Sequence, residues 1–189
     1  MGEAKPKMSI LKIARMGNPI LRKKGREVSK EEIKSKEFQK LIDDMIETLH
    51  EYGGVGLAAP QVHQSVQLMI IELPPTESRP DLEPFPLTIF INPKYTNMSD
   101  EIEEDWEGCL SVPDMRGRVK RSKAIKVKAL DRKGKEFEME AKDFKARVIQ
   151  HEGDHLIGKL YIERMDDLKT LTFLDEYTRF WGGSDKDVD

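Results

Sequence analysis

Two histidines four residues apart bracket an acidic residue in His151-Glu152-Gly153-Asp154-His155. On a helix, residues at this spacing lie one turn above each other on one face, so both imidazoles can reach a single cation. Glu152 then stands beside that cation, placed to take a proton from its bound water rather than to ligate. The chemistry this implies is hydrolysis by a metal hydroxide. A catalytic site of this kind needs a third protein ligand and one position left open for water.

Three residues compete for that third place. Gly158 and Tyr161 extend the run to His-Glu-x-x-His-x-x-Gly-x-x-Tyr, which differs from the metzincin pattern at its final residue. A phenol is a poor substitute for imidazole, and Gly158 serves equally as a helix cap. Glu176, on the last expected helix, would complete a two-histidine, one-carboxylate set, although a solvated helix face is the common place for glutamate. Cys109 lies in Glu107-Gly108-Cys109-Leu110-Ser111 and is the only cysteine. A lone thiol is usually a small buried hydrophobe. Here Gly108 lets the backbone turn tightly, and Ser111-Val112-Pro113 turns it again. A thiolate with two imidazoles is a legitimate set for a catalytic metal. A further run, Gly54-Val55-Gly56-Leu57-Ala58-Ala59-Pro60-Gln61, has little side-chain bulk and can bring its backbone close to a ligand. Gln61 adds a neutral amide donor suited to a developing oxyanion.

These runs must be held by a scaffold, and the pattern of apolar residues indicates which. Ile10 to Ile13 is a short apolar stretch, followed by turn residues at Gly17-Asn18-Pro19. Ser29 and Glu32 form a capping box. From about Lys36 to Tyr52, Phe38, Leu41, Ile42, Met45 and Leu49 repeat at helical spacing until Gly53-Gly54. Val66 to Leu73 reads as a buried strand, a Pro-rich loop covers 74 to 86, and Leu87 to Ile91 forms a strand stopped at Asn92-Pro93. Residues 125–129 and 137–141 alternate apolar with charged around Asp131 to Gly134, as in a half-exposed hairpin. The histidine-bearing helix begins near Asp143, with Phe144, Val148, His151 and His155 on one stripe. Gly153 inside it costs about 1 kcal/mol relative to Ala, with no reason visible in the sequence. An amphipathic helix from about Asp167 to Trp181 follows. The expected fold is α+β: a mostly antiparallel sheet packed around a central metal-binding helix, with an N-terminal helix and a C-terminal helix. Residues 1–181 form a single domain, and 182–189 a disordered acidic tail.

Composition bounds the partners. The chain has 189 residues, 35% of them charged, with a net charge of −3, so no broad basic field invites a stable nucleic-acid partner. No apolar run approaches membrane-spanning length, no signal-peptide core follows the N-terminus, and one cysteine allows no internal disulfide, as suits a reducing cytoplasm.

Taken together, the three runs resemble the peptide deformylases, at Gly-x-Gly-Leu-Ala-Ala-x-Gln (54–61), Glu-Gly-Cys-Leu-Ser (107–111) and Gln-His-Glu-x-x-His (150–155), in that order. The likeness runs from about Ile10 to Met165. It implies a hydrolase that removes the formyl group from the initiator N-formylmethionine of nascent proteins and releases formate. By that resemblance Cys109, His151 and His155 hold one divalent ion, Fe²⁺ foremost, with Zn²⁺, Ni²⁺ and Co²⁺ accepted; ligand chemistry alone would favour Zn²⁺. Metal-bound hydroxide attacks the formyl carbonyl, the Gln61 amide and the Leu110 N–H meet the oxyanion, and Glu152 serves as general base and then acid. Val55, Val148 and the aliphatic part of Glu107 would wall a pocket for the methionine side chain, and Gly54 and Gly56 would bond the substrate backbone.

Other positions carry weaker expectations. Arg147 departs from the apolar residue some family members carry there, and its stem is expected to pack while its charge reaches solvent. Asp154 is either a solvated helix residue or a carboxylate paired with an arginine from the 116–121 stretch. That basic stretch is expected to be a solvated edge; substrate or ribosomal RNA contact, transient at most, is the alternative. The final helix suggests the C-terminal-helix subgroup. Family resemblance begins early enough to leave no room for an organellar extension, which suggests a bacterial cytoplasm. A generic metallopeptidase with the same His-Glu-x-x-His run is the competing enzyme. A structural metal site would need a fourth ligand, for which His50 and His63 are the available imidazoles.

Overall fold

A computed structural model describes residues 9–75 and 83–182. Most of the expected 74–86 loop, and the tail from residue 183, fall outside the described residues. The architecture is α+β. After an extended N-terminal stretch and a 3₁₀ turn (Pro19–Arg22) come α1 (Lys30–Ile33), α2 (Lys36–Glu51), β1 (Gly56–Ala58) and a second 3₁₀ turn (Ala59–Val62). Then follow β2 (Leu68–Leu73), β3 (Phe85–Met98), β4 (Ile102–Cys109), β5 (Val112–Ser122), β6 (Ala124–Leu130) and β7 (Glu136–Lys142). The chain ends with α3 (Asp143–Leu156), a 3₁₀ turn (Tyr161–Arg164), β8 (Thr172–Phe173) and α4 (Leu174–Phe180). β1-β2-β3-β6-β7 form one antiparallel sheet, and β4-β5-β8 a second.

β2 explains why its sequence shows no alternation. Leu68 and Ile70 pack on α2 with Phe38, Ile42, Met45 and Leu49, whereas Met69, Ile71 and Leu73 pack on α3 with Ala146, Val148 and Ile149. A strand buried on both faces has no polar side to show. α3 thus lies on one face of the large sheet and α2 on the other. The Ser29 hydroxyl accepts from Glu32 N, but the glutamate turns away to pair with Arg26, so only half of the expected box forms. The helix breaks after Ile33, and Ser35 caps a new one. Gly53, at φ 61°, closes α2 as expected.

Three expectations need correction. β3 does not stop at Asn92-Pro93: the register shifts between Ile91 and Lys94, so Pro93, which lacks an N–H, sits in a bulge. Asn92 adopts φ 51° and braces this kink by bonding Val28 N and O. The hairpin β4–β5 takes the place of the expected solvated basic edge. Its alternation is obscured because both strands carry charges, Glu103 facing Arg121 and Glu104 facing Lys120. The final helix is shorter than 167–181, because Thr172 and Phe173 join β5 as a strand before α4 begins.

Candidate metal centre

α3 starts where the chain leaves β7, and its sheet-facing side is anchored by Ala146 and Ile149. From Ala146 to Leu156 every residue is buried, so this helix threads the interior. His151 and His155 project from one face, their ring centroids 5.2 Å apart. Cys109 closes the group from the end of β4, its Sγ 3.3 Å from His155 Nε2. One ligand atom from each of the three residues lies within 4.8 Å of the others, the only such His, Cys, Asp and Glu group among the described residues. Of the competing candidates, Glu176 is exposed on α4. Tyr161 is buried with its ring stacked on His151 at 6.1 Å, as packing rather than as part of the group. His50 pairs with Glu72 on the surface, and His63 is exposed, so neither supplies a fourth ligand.

The surroundings orient these side chains. Glu107, two residues before Cys109 on β4, accepts from His151 Nδ1 at 2.8 Å, which leaves Nε2 for a cation. Its carboxylate also receives Arg121 Nε and Nη2 at 2.9 and 3.0 Å and Arg147 Nη1 at 3.0 Å. Burial disfavours the Glu107 charge, but the His151 and Arg121 bonds outweigh it and hold the carboxyl well below the usual range. Arg121 also donates to Asp154 at 2.6 Å, and Arg164 grips the same carboxylate from the other side. Asp154 therefore takes the paired alternative, and Arg121, 6% exposed, is no part of a solvated edge. Arg147 reverses expectation as well. It is 2% exposed, and its Nη1 and Nη2 bond Glu107 and the carbonyls of Val119 and Glu103, the last two at 2.7 and 2.8 Å.

Glu152 sits between the two histidines. Its Oε2 is buried without a hydrogen-bond partner among the described residues, and burial pushes its pKa up to about 7. A Cβ on Gly56 would come within 2.4 Å of Glu152 Oε1, so a glycine in β1 makes room for this carboxylate. Gln61 is 1% exposed. Its Oε1 accepts from Ala58 N at 2.8 Å, which fixes the amide so that Nε2 points at Cys109 Sγ and Ser111 Oγ, at 3.5 and 3.3 Å. The group opens into a cleft of 1090 Å³ lined by Gly54, Val55, Gly56, Glu107, Leu110 and Val148, among others. Gln61, Cys109, His151 and Glu152 line this same cleft, whereas Glu176 and His50 do not.

The polypeptide deformylase family model matches residues 10–171. The chain belongs to the polypeptide deformylase family. Peptide deformylase 2 of Pseudomonas syringae pv. tomato is 45% identical over 166 residues, 88% of this chain and 93% of the relative. The Leptospira biflexa peptide deformylase is 41% identical over 170 residues, 89% and 95% of the two chains. The Met-Ala-Ser-bound class I type b peptide deformylase from Acinetobacter baumannii superposes with a TM-score of 0.81 at 39% identity, covering 84% of this chain and 100% of that one. This deformylase is thus a hydrolase of protein biosynthesis. No helix among its described residues is long and apolar enough to cross a membrane.

Sequence reasoning missed part of the deformylase site. Glu107 was expected only as a pocket wall, yet its carboxylate orients His151; the one signal was its closeness in sequence to Cys109. Arg121 was foreseen only as one of the 116–121 arginines that could pair with Asp154, and the part played by Arg164, ten residues from Asp154, carries no local signal.

Proposed function

We propose that this deformylase removes the formyl group from N-formylmethionyl nascent peptides with Cys109, His151 and His155 holding one divalent ion. The observation that carries this reading is the convergence of one thiol and two imidazoles beside a buried carboxylate oxygen that lacks a partner, at the floor of an open cleft. The donor set fits a divalent ion, and by resemblance that ion is Fe²⁺, with Zn²⁺, Ni²⁺ and Co²⁺ compatible with the same atoms. A cation held there supplies the Lewis acidity that activates water and polarises a carbonyl.

The chain's own groups do the rest. Glu152, with its pKa near neutrality, takes a proton at its carboxylate and returns it to the departing amine, which would otherwise leave as an unstable anion. Gln61 Nε2 and the Leu110 N–H face the charge that develops on the formyl oxygen. β1 is an edge strand, so Gly56 has a side on which an extended peptide can align, with Gly54 two residues before it at the cleft wall. Val55, Val148 and the stem of Glu107 offer an apolar wall to the methionine side chain. A bacterial cytoplasm is the compartment this substrate implies.

The test is formate release from formyl-Met-Ala-Ser, compared with acetylated and unblocked peptides and with cleavage of internal peptide bonds. Glu152→Ala is expected to keep its metal and lose nearly all turnover. Wild-type formate release by that variant sinks the assignment, and internal cleavage by the wild type favours a general peptidase.

A further inference from the structure

The C-terminal segment reaches the cleft in a way the catalytic reading leaves unused. α4 is seven residues long and buries none of them; Phe180 and Trp181 stand 50% and 46% exposed. So short a helix has no stability of its own, and its position must come from contacts. Two sets of contacts fix it. β8 adds to the free edge of β5, with Phe173 opposite Met115 and Thr172 opposite Arg116. Tyr177 meets the Trp106 indole edge-on at 4.9 Å, and Trp181 meets the same ring at 5.5 Å. Trp106 directly precedes Glu107 on the strand that carries Cys109. The result is that half-buried Leu174, the first residue of α4, lines the same cleft as Trp106, Phe144 and Val148.

We propose that the 172–181 segment is a wall of the substrate cleft and that Leu174 is a specificity-determining residue, packing against an apolar side chain of the bound formyl-peptide. The inference rests on the deformylase reading given above. Tyr177 does not line the cleft and serves as a positioning residue that holds α4 on Trp106.

The experiment compares metal-loaded wild type, Leu174→Ala, Tyr177→Ala and the double variant on formyl-Met-Ala-Ser. Losing a half-buried leucine contact is expected to raise KM by about 3- to 10-fold with kcat kept. Tyr177→Ala should raise KM similarly, and the double variant no further than the larger single effect, because both act on one wall. The chain has two tryptophans, and both belong to this cluster, so intrinsic emission reports its state. Leu174→Ala should keep the wild-type spectrum, and Tyr177→Ala should shift it to the red. A wild-type KM in Leu174→Ala overturns the proposal, as does a wild-type KM in Tyr177→Ala whose emission has shifted. If the wild type itself releases no formate, the deformylase reading falls; if it turns over and the variants match it, only this inference falls.

Discussion

Gly153 lies inside α3 between Glu152 and His155, where an alanine would be the better helix former by about 1 kcal/mol. The reason for the glycine is on β3. A Cβ at this position would stand 1.9 Å from the Tyr95 hydroxyl oxygen and 3.0 Å from Cζ. That hydroxyl donates to the Ile149 carbonyl at 2.8 Å, so it cannot swing aside without giving up the bond. For Gly153→Ala, retreat of the phenol by about 1 Å loses about 1 kcal/mol of hydrogen bonding and adds about 1–3 kcal/mol of overpacking, against the helix gain of about 1 kcal/mol. The net expected loss is about 1–3 kcal/mol. In a Tyr95→Phe background the closest atom disappears and ring contacts at 3.0 and 3.4 Å remain, so the same substitution should be near neutral. The two changes should therefore couple by about 2 kcal/mol. Urea unfolding of all four proteins at one fixed metal concentration measures this, since bound metal adds its own stability. Equal cost of Gly153→Ala in both backgrounds would refute the steric argument.

Three further outcomes follow from the same geometry. Gly56→Ala puts a Cβ where Glu152 Oε1 lies, so it should keep its metal while kcat falls about 100-fold; an unchanged kcat would show that the carboxylate has room to move. Glu107→Gln removes the charge that two guanidiniums and His151 share, and metal affinity in a chelator competition should fall about 10- to 100-fold. Burial opposes the Asp154 charge, but Arg164 and Arg121 outweigh it and lower its pKa. Its contribution to stability is thus full above the unfolded carboxyl pKa and is lost as pH falls through the lower folded one. Wild-type and Asp154→Asn unfolding midpoints should converge on acidification, and a gap that stays constant with pH would contradict this.

Legibility in the sequence followed the range of the interactions. His151, Glu152 and His155 are joined by one helical turn, so spacing alone revealed them. α2 and the β6–β7 hairpin were equally local, because one solvated face left its period in the residue pattern. The β4–β5 hairpin was hidden for the opposite reason: its charges pair across the strands and against α3, so polar residues occupy the buried face too. β3 was cut short because Pro93 reads as a terminator unless the bulge that shelters it is known.

The misreading of Arg147 shows where such reasoning ends. Buried arginine is rare, so a sequence argument sends its charge to solvent. Here the guanidinium replaces water with the carbonyls of Val119 and Glu103 and with the Glu107 carboxylate, and through them ties α3 to both strands of the hairpin that delivers Cys109. Removing one member of such a network leaves its partners buried and unpaired, a cost larger than the bond itself. A thiol and two imidazoles brought together from two separate elements need that kind of brace. Its partners lie 28 to 44 residues away, beyond the reach of any local pattern.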